Sequence, residues 1–190
     1  MPRLFTAIEI PLEIRDELHR LQLPVPGARW IEPENYHLTL RFAGDIEGPV
    51  MHEFVANLSE IEIDAFELTV LGLGAFGGND PSAIWAGIAP SGALEALARA
   101  HEKAARNAGL LPVKRPFKPH ITLARLLRSR PEDVARYLNQ YSGYRSEPFF
   151  VAQSVLMSSR PNVGGGPYGI AELLPLRGGT LPEVFDDDRW

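Results

Sequence analysis

The chain has 190 residues, a formal net charge of −5, 45% hydrophobic residues and no cysteine. That length suits one compact domain or two lobes sharing a core. The missing thiols exclude disulfide scaffolds, thiolate zinc sites and cysteine nucleophiles, and the acidic balance argues against a coat on long nucleic acid, which rests on many Lys and Arg contacts to phosphate.

Residues 3–10 alternate in strand fashion, and Pro11 then opens an amphipathic helix over 12–23 with Leu12, Leu18 and Leu21 on its apolar side. Pro24-Val25-Pro26-Gly27 breaks it. Short strands are expected over 28–31 and 37–43, separated by the turn-forming Glu32-Pro33-Glu34-Asn35. Residues 50–58 read as a helix, and 66–76 and 83–88 as strands joined by Gly77-Gly78-Asn79-Asp80-Pro81. Ser91 is an N-cap candidate for a long helix reaching about Asn107, with Glu95 near its first turn, and Gly109 stops it. A strand at 120–126, a helix from Pro131 to about Asn139 and late strands at 149–158 and 168–174 complete the chain. Strands and helices mix without a βαβ rhythm, which predicts an α+β fold with mainly antiparallel sheets. The expected organisation is one domain over 1–176 and a polar, acidic tail over 177–190 carrying Asp186-Asp187-Asp188.

No apolar run approaches the roughly 20 residues that cross a bilayer. The start Met1-Pro2-Arg3-Leu4-Phe5 lacks a signal peptide's charged and apolar blocks. A cytoplasmic place without membrane contact is therefore the expectation, and nothing in the sequence demands a protein partner.

One tetrapeptide occurs twice. His37-Leu38-Thr39-Leu40 and His120-Ile121-Thr122-Leu123 stand 83 positions apart, each after proline-containing turn material. A strand has a side-chain period of two, so each His shares a face with its Thr while the aliphatics point to the opposite layer. Two such strands side by side give a cleft with two imidazoles and two hydroxyls. One copy would be an ordinary strand with a polar face. Two copies in matching contexts, in a chain with 5 histidines, point to a site.

Imidazole, with a pKa of about 6.5, can give or take a proton near neutral pH. Opening a cyclic phosphodiester needs both acts: a base for water and an acid for the departing sugar oxygen. The hydroxyls of Thr39 and Thr122 can donate to non-bridging phosphate oxygens, and a guanidinium can offset their charge. This scheme calls for no metal and no cofactor, and two histidines without an Asp, Glu or Cys partner make a poor zinc site. The interval from Glu102 to Glu132 contains no acid but holds Lys103, Arg106, Lys114, Arg115, Lys118, Arg125, Arg128 and Arg130. It reads either as a solvated basic face or as a local anion site.

The strings His-Leu-Thr-Leu-Arg-Phe-Ala-Gly (37–44) and Lys-Pro-His-Ile-Thr-Leu-Ala-Arg (118–125) resemble the paired motifs of the 2H phosphoesterase superfamily, in particular its RNA 2′,3′-cyclic phosphodiesterases, also called 2′-5′ RNA ligases. The resemblance extends to Arg3-Leu4-Phe5-Thr6-Ala7-Ile8 and to Gly166-Pro167-Tyr168, nearly the whole chain. It implies a bilobal α+β fold of two mainly antiparallel sheets with flanking helices and pseudo-twofold symmetry around a central cleft. It implies hydrolysis of a terminal 2′,3′-cyclic phosphate to a 2′-phosphate, on RNA 3′ ends or small cyclic nucleotides. Carried over by position, His37 and His120 are the catalytic pair, with His37 as acid and His120 as base. Thr39 and Thr122 are phosphate ligands, Arg125 a phosphate-contacting arginine, and Phe42 an aromatic that stacks on the terminal base. Strict alternation, however, puts Arg41 on the face of His37 and turns Phe42 and Arg125 away, so the last two need a bulge. In regular strands Arg41 is the better phosphate ligand; both arginines are kept, with Arg125 favoured because it lies in the acid-free basic interval. Two other functions remain open: joining the cyclic end to a 5′-hydroxyl by the same chemistry, and RNA-end or nucleotide binding without turnover.

His19, His52 and His101 are expected on exposed helix positions. Trp30 and Trp85 read as core or lobe-interface residues, Trp30 being near enough to the first motif to line the cleft. Tyr168 reads equally as a ligand contact or a packed strand aromatic, and Gly164-Gly165-Gly166 as a flexible loop.

Overall fold

In the computed structural model, which describes residues 3–46, 48–159 and 168–179, the chain begins β1 (Arg3–Glu9), α1 (Leu12–Arg20), β2 (Ala28–Trp30), a 3₁₀ turn (Pro33–Asn35), β3 (His37–Gly44), α2 (Gly48–Ser59), β4 (Phe66–Leu68) and β5 (Val70–Phe76). It continues β6 (Ala83–Ile88), α3 (Gly92–Asn107), β7 (His120–Leu126), α4 (Pro131–Gln140), β8 (Phe149–Val151), β9 (Gln153–Ser159) and β10 (Tyr168–Pro175). The principal sheet has the order β10-β9-β1-β3-β7-β6-β5, with β2 also paired to β7, and β4 pairs with β8 apart from it. All these pairings are antiparallel, as expected for the α+β class.

Two lobes meet at a narrow seam. β3 and β7 share the residue pair Leu38↔Ile121, both with no exposed surface. Truncating either to Ala would cost about 2–5 kcal/mol. An offset of 83 residues relates β3 to β7, β4 to β8 and β5 to β9. The pairs Leu38↔Ile121 and Glu67↔Phe150 each join residues that are equivalent under that offset. The pseudo-twofold axis therefore passes through both pairings, and β9-β1-β3 faces β5-β6-β7 across it.

Helices cover one face of this sheet. Phe54 and Leu58 of α2 and Ala104 and Ala105 of α3 pack with Leu4 of β1 and Leu156 of β9. Ile14 and Leu18 of α1 and Val134 and Tyr137 of α4 join the larger core with Ile84 of β6 and Leu123 of β7. The Tyr137 hydroxyl donates to the carbonyl of Leu21 just beyond α1 (3.0 Å), tying the second helix pair together. Ser91 caps α3 as expected, its Oγ accepting the Leu94 N–H at 3.2 Å. The opposite face carries a small cluster, Phe5, Ala7, Val155 and Met157, with Tyr168 against it.

Several expectations change. Helix α1 ends at Arg20, and Leu12 is 62% exposed while Ile14 is buried. The inward stripe is Ile14 and Leu18, one turn apart, which leaves Leu12 on the water side. Residues 66–76 and 149–158 are each two strands, broken at the equivalent positions Thr69 and Ala152. There the chain switches sheets, and the freed carbonyls are taken by the N–H groups of Ala89 and Leu176, both at 2.9 Å. His101 is not exposed. It lies 1% exposed in α3, its Nδ1 2.9 Å from Thr6 Oγ1 and its Nε2 3.3 Å from Ser154 Oγ. Helical spacing from Leu94, Leu97 and Ala98 sets His101 on the inward side, where two hydroxyls satisfy it. His19 and His52 are exposed as expected. Residues 177–179 stay against the domain, the Arg177 guanidinium bonding Asp64 at 2.5 Å. The glycine run 164–166 and residues 180–190 of the expected tail lie outside the described residues. No helix among the described residues is long and apolar enough to cross a membrane.

Candidate active site

The two tetrapeptides lie on β3 and β7, on either side of the seam. The strands meet at the single pair Leu38↔Ile121, which is flanked by His37 and Thr39 on β3 and by His120 and Thr122 on β7, all turned to the face opposite that pair. Both imidazoles and both hydroxyls therefore share one face at the pseudo-axis. All four side chains are half-buried. Among the described residues, neither threonine hydroxyl has a hydrogen-bond partner.

A bulge decides which face the residues after each motif take. Thr6 pairs with Arg41 and Ala7 with Thr39, so Leu40 is the extra residue on β3. Ile84 pairs with Ala124 and Trp85 with Thr122, so Leu123 is the extra residue on β7. The two bulges occupy equivalent positions. Each inserts one residue and inverts the alternation beyond it. Phe42 and Arg125 thereby join the face of the histidines, and Arg41 leaves it. Arg41 is buried in the opposite layer, where its Nε bonds Glu102, its Nη1 the Phe42 carbonyl and its Nη2 the Leu111 carbonyl at 2.6 Å. The expectation that Arg41 faces phosphate held only for a regular strand and does not survive the bulge.

Both imidazoles are fixed in the same way. His37 Nδ1 lies 2.8 Å from the Asn35 carbonyl and His120 Nδ1 2.7 Å from the Lys118 carbonyl, each two residues upstream. A carbonyl only accepts, so Nδ1 carries the proton and Nε2 is left as the free nitrogen. The 3₁₀ turn before His37 and Pro119 before His120 bend the chain so that these carbonyls fold back on the ring.

Both histidines titrate below the ordinary range. For His37 burial is the main cause, opposed by the Asn35 hydrogen bond and assisted by charge on His120 and Arg125. For His120 burial again leads, opposed by the Lys118 hydrogen bond and assisted by the charges of Lys118 and Arg125. Desolvation and neighbouring cations both disfavour the imidazolium. Each ring is therefore a neutral base at pH 7, and the influence of His120 and Arg125 on His37 brings the pair and Arg125 into one electrostatic unit.

Aromatic rings flank the pair on both sides. His37 has Phe5 at 5.0 Å and Tyr168 edge-on at 4.9 Å, and Phe42 lies 5.4 Å from Phe5. His120 has Phe76 edge-on at 4.9 Å and Trp85 at 6.3 Å, and Lys118 Nζ sits 4.6 Å above the Trp85 ring. Tyr168 is thus beside the motif histidine. Of Trp30 and Trp85, it is Trp85 that lines the site. Trp30 turns to the helical side, against Tyr137 at 5.4 Å, and its Nε1 donates to the Leu23 carbonyl. Phe5 and Phe76 were not legible as site residues in the sequence. Period-two alternation groups Phe5 with Ala7, but only pairing to β3 decides which face meets the histidines. Among the described residues no group of three or more His, Asp or Glu is placed to hold a metal ion.

The family model for LigT-like phosphoesterases matches residues 8–85 and 88–168, both motifs and the strands that carry them. The chain belongs to this family. Its membership bears out the resemblance to the 2H phosphoesterase superfamily. The RNA 2′,3′-cyclic phosphodiesterase of Archaeoglobus fulgidus is 30% identical over 168 residues, covering 84% of this chain and 94% of that protein. The RNA 2′,3′-cyclic phosphodiesterase of Aquifex aeolicus is 31% identical over 79% of this chain and 82% of its own length. Among solved structures, Escherichia coli LigT complexed with 3′-AMP superposes with a TM-score of 0.74 at 25% identity, covering 93% of this chain and 99% of that one. A Thermus thermophilus protein superposes at 0.75, with 25% identity and 94% and 100% coverage.

Proposed function

We propose that this family member hydrolyses a terminal 2′,3′-cyclic phosphate of RNA to a 2′-phosphate, with His37 and His120 as its catalytic pair. One observation carries the reading: two neutral imidazoles, each tied through Nδ1 to a carbonyl and free at Nε2, stand on one face beside two unengaged threonine hydroxyls and Arg125. Relatives named RNA 2′,3′-cyclic phosphodiesterase support the substrate class.

Water attacks phosphorus, its oxygen forms the new P–O bond, and the bond to O3′ breaks. His120 Nε2 takes the proton from water, and His37, as imidazolium, gives one to O3′. His120 is the more exposed of the two, which favours it for the water side. The negative phosphodiester offsets the charge that Arg125 and the partner ring impose, so one imidazolium can form between them. Thr39 and Thr122 donate to the non-bridging oxygens and Arg125 balances their charge. Phe42, 58% exposed, offers its ring to the terminal base.

The test is hydrolysis of a short RNA ending in a 2′,3′-cyclic phosphate, with EDTA present, by wild type, His37→Ala and His120→Ala. Conversion to a 2′-phosphate, reduced by about 10² to 10⁴ or more in each variant, is expected. Full turnover by either variant would remove the pair. A phosphodiester with a p-nitrophenolate leaving group, which departs without a proton, separates the roles: His37→Ala should recover much of its activity on it and His120→Ala should not.

A further inference from the structure

Strand β2 pairs with the end of β7 beyond the bulge, and there Arg29 lies directly across from Arg125. Directly opposed residues point to the same side of a sheet. Arg125 is on the side of the motif residues, because Ala83 opposite it and Trp85 opposite Thr122 are two apart on an unbulged strand. Arg29 therefore stands on the face of His37 and His120, whereas its neighbour Trp30 turns to the helical side against Tyr137. Both arginines are exposed, and among the described residues neither has an ion-pair partner. Like charges facing each other across two strands repel. In a chain with 24 acidic and 19 basic residues, this pair is left without a counter-charge beside the reacting groups.

We infer that Arg29 is a second phosphate-binding residue, and that it takes the phosphodiester on the 5′ side of the terminal nucleotide. The inference rests on the cyclic phosphodiesterase reading and specifies its substrate: an RNA end of two or more nucleotides rather than a free nucleoside cyclic phosphate. Arg125 is within electrostatic reach of both histidines and serves the reacting phosphate. Arg29 is not among the groups that shift either imidazole, and it stands on β2, on the edge of β7 away from β6, past the β3 pairing and the bulge. With Cβ positions about 5 Å apart and long stems, the two guanidiniums can hold consecutive phosphates of one strand. A nucleoside 2′,3′-cyclic phosphate has no second phosphate and gains nothing from Arg29.

The experiment compares kcat/KM for a dinucleotide ending in a 2′,3′-cyclic phosphate with that for the matching nucleoside 2′,3′-cyclic phosphate. Wild type should prefer the dinucleotide by about tenfold, the worth of one charge-assisted contact. Arg29→Ala should bring that ratio close to one through KM, Arg29→Lys should restore part of it, and the salt dependence of log(kcat/KM) on the dinucleotide should flatten by about 0.7. An unchanged ratio in Arg29→Ala overturns the inference. So does an equal loss on both substrates, which would put Arg29 on the reacting phosphate. If wild type turns over neither substrate, the hydrolase reading fails by itself. Calorimetric binding of a dinucleotide ending in a 2′-phosphate, against the nucleoside 2′-phosphate, then reads the subsite: a preference lost in Arg29→Ala supports it, and its persistence overturns it.

Discussion

His101 gives the sharpest physical prediction, because its burial converts directly into a pH dependence of stability. It sits behind β1, bonded to the hydroxyls of Thr6 and Ser154, and burial pushes its pKa from 6.5 down to about 3. The unfolded chain takes up a proton near pH 6.5, whereas the folded chain does not until far lower pH. This histidine therefore contributes stability that is complete above pH 6.5 and lost as pH falls below it, at about 1.4 kcal/mol per pH unit. At pH 4.5 the loss from this one group is about 2.7 kcal/mol. For a chain of this size that lowers Tm by roughly 5–10 °C. The assay is thermal unfolding at pH 7.5 and pH 4.5 for wild type and His101→Gln, whose amide keeps hydrogen-bonding capacity but cannot ionise. His37 and His120 contribute equally to both proteins and cancel. The variant should lose roughly 5–10 °C less than wild type over that interval, whatever its absolute Tm. Parallel losses would refute the assignment of His101 as a buried neutral group.

Further outcomes are expected at the site itself. Arg125→Ala should lower kcat/KM on a cyclic phosphate by about 10² while leaving Tm little changed, since its side chain is exposed. Arg41→Ala should do the reverse, costing about 1–3 kcal/mol in denaturant unfolding, because Glu102 and the Leu111 carbonyl lose their partner. The acid limb of the kcat/KM profile should lie below pH 6.5, as both histidines titrate low, and Arg125→Ala should move it upward by removing a cation that disfavours both imidazoliums. Gly74→Ala would set a methyl 2.3 Å from the Trp85 ring. The indole must then move from its place beside His120, which a change in tryptophan fluorescence and a raised KM would report, and unchanged values of both would count against that packing.

The sequence by itself determined the two motifs, the α+β class and which face of each short strand is polar. Those properties follow from residue identity and period two, and both are local. His37, Thr39, His120 and Thr122 were legible for that reason. Beyond the fourth motif residue, local reading failed. Whether Arg41 or Phe42 faces the site turns on one extra residue, Leu40, in the pairing with β1, and Arg125 owes its place to Leu123 in the pairing with β6. A bulge is a property of two strands together, so a pattern along one strand cannot contain it. The same limit hid His101, whose polar partners come from β1 and β9, strands 95 and 53 residues away. It also hid Arg29, which becomes a neighbour of Arg125 only when β2 joins the far side of β7. Alternation along the chain thus fixed the chemistry of each strand, while pairing across the sheet decided which side chains meet, because contact depends on register and register is set between segments rather than within them.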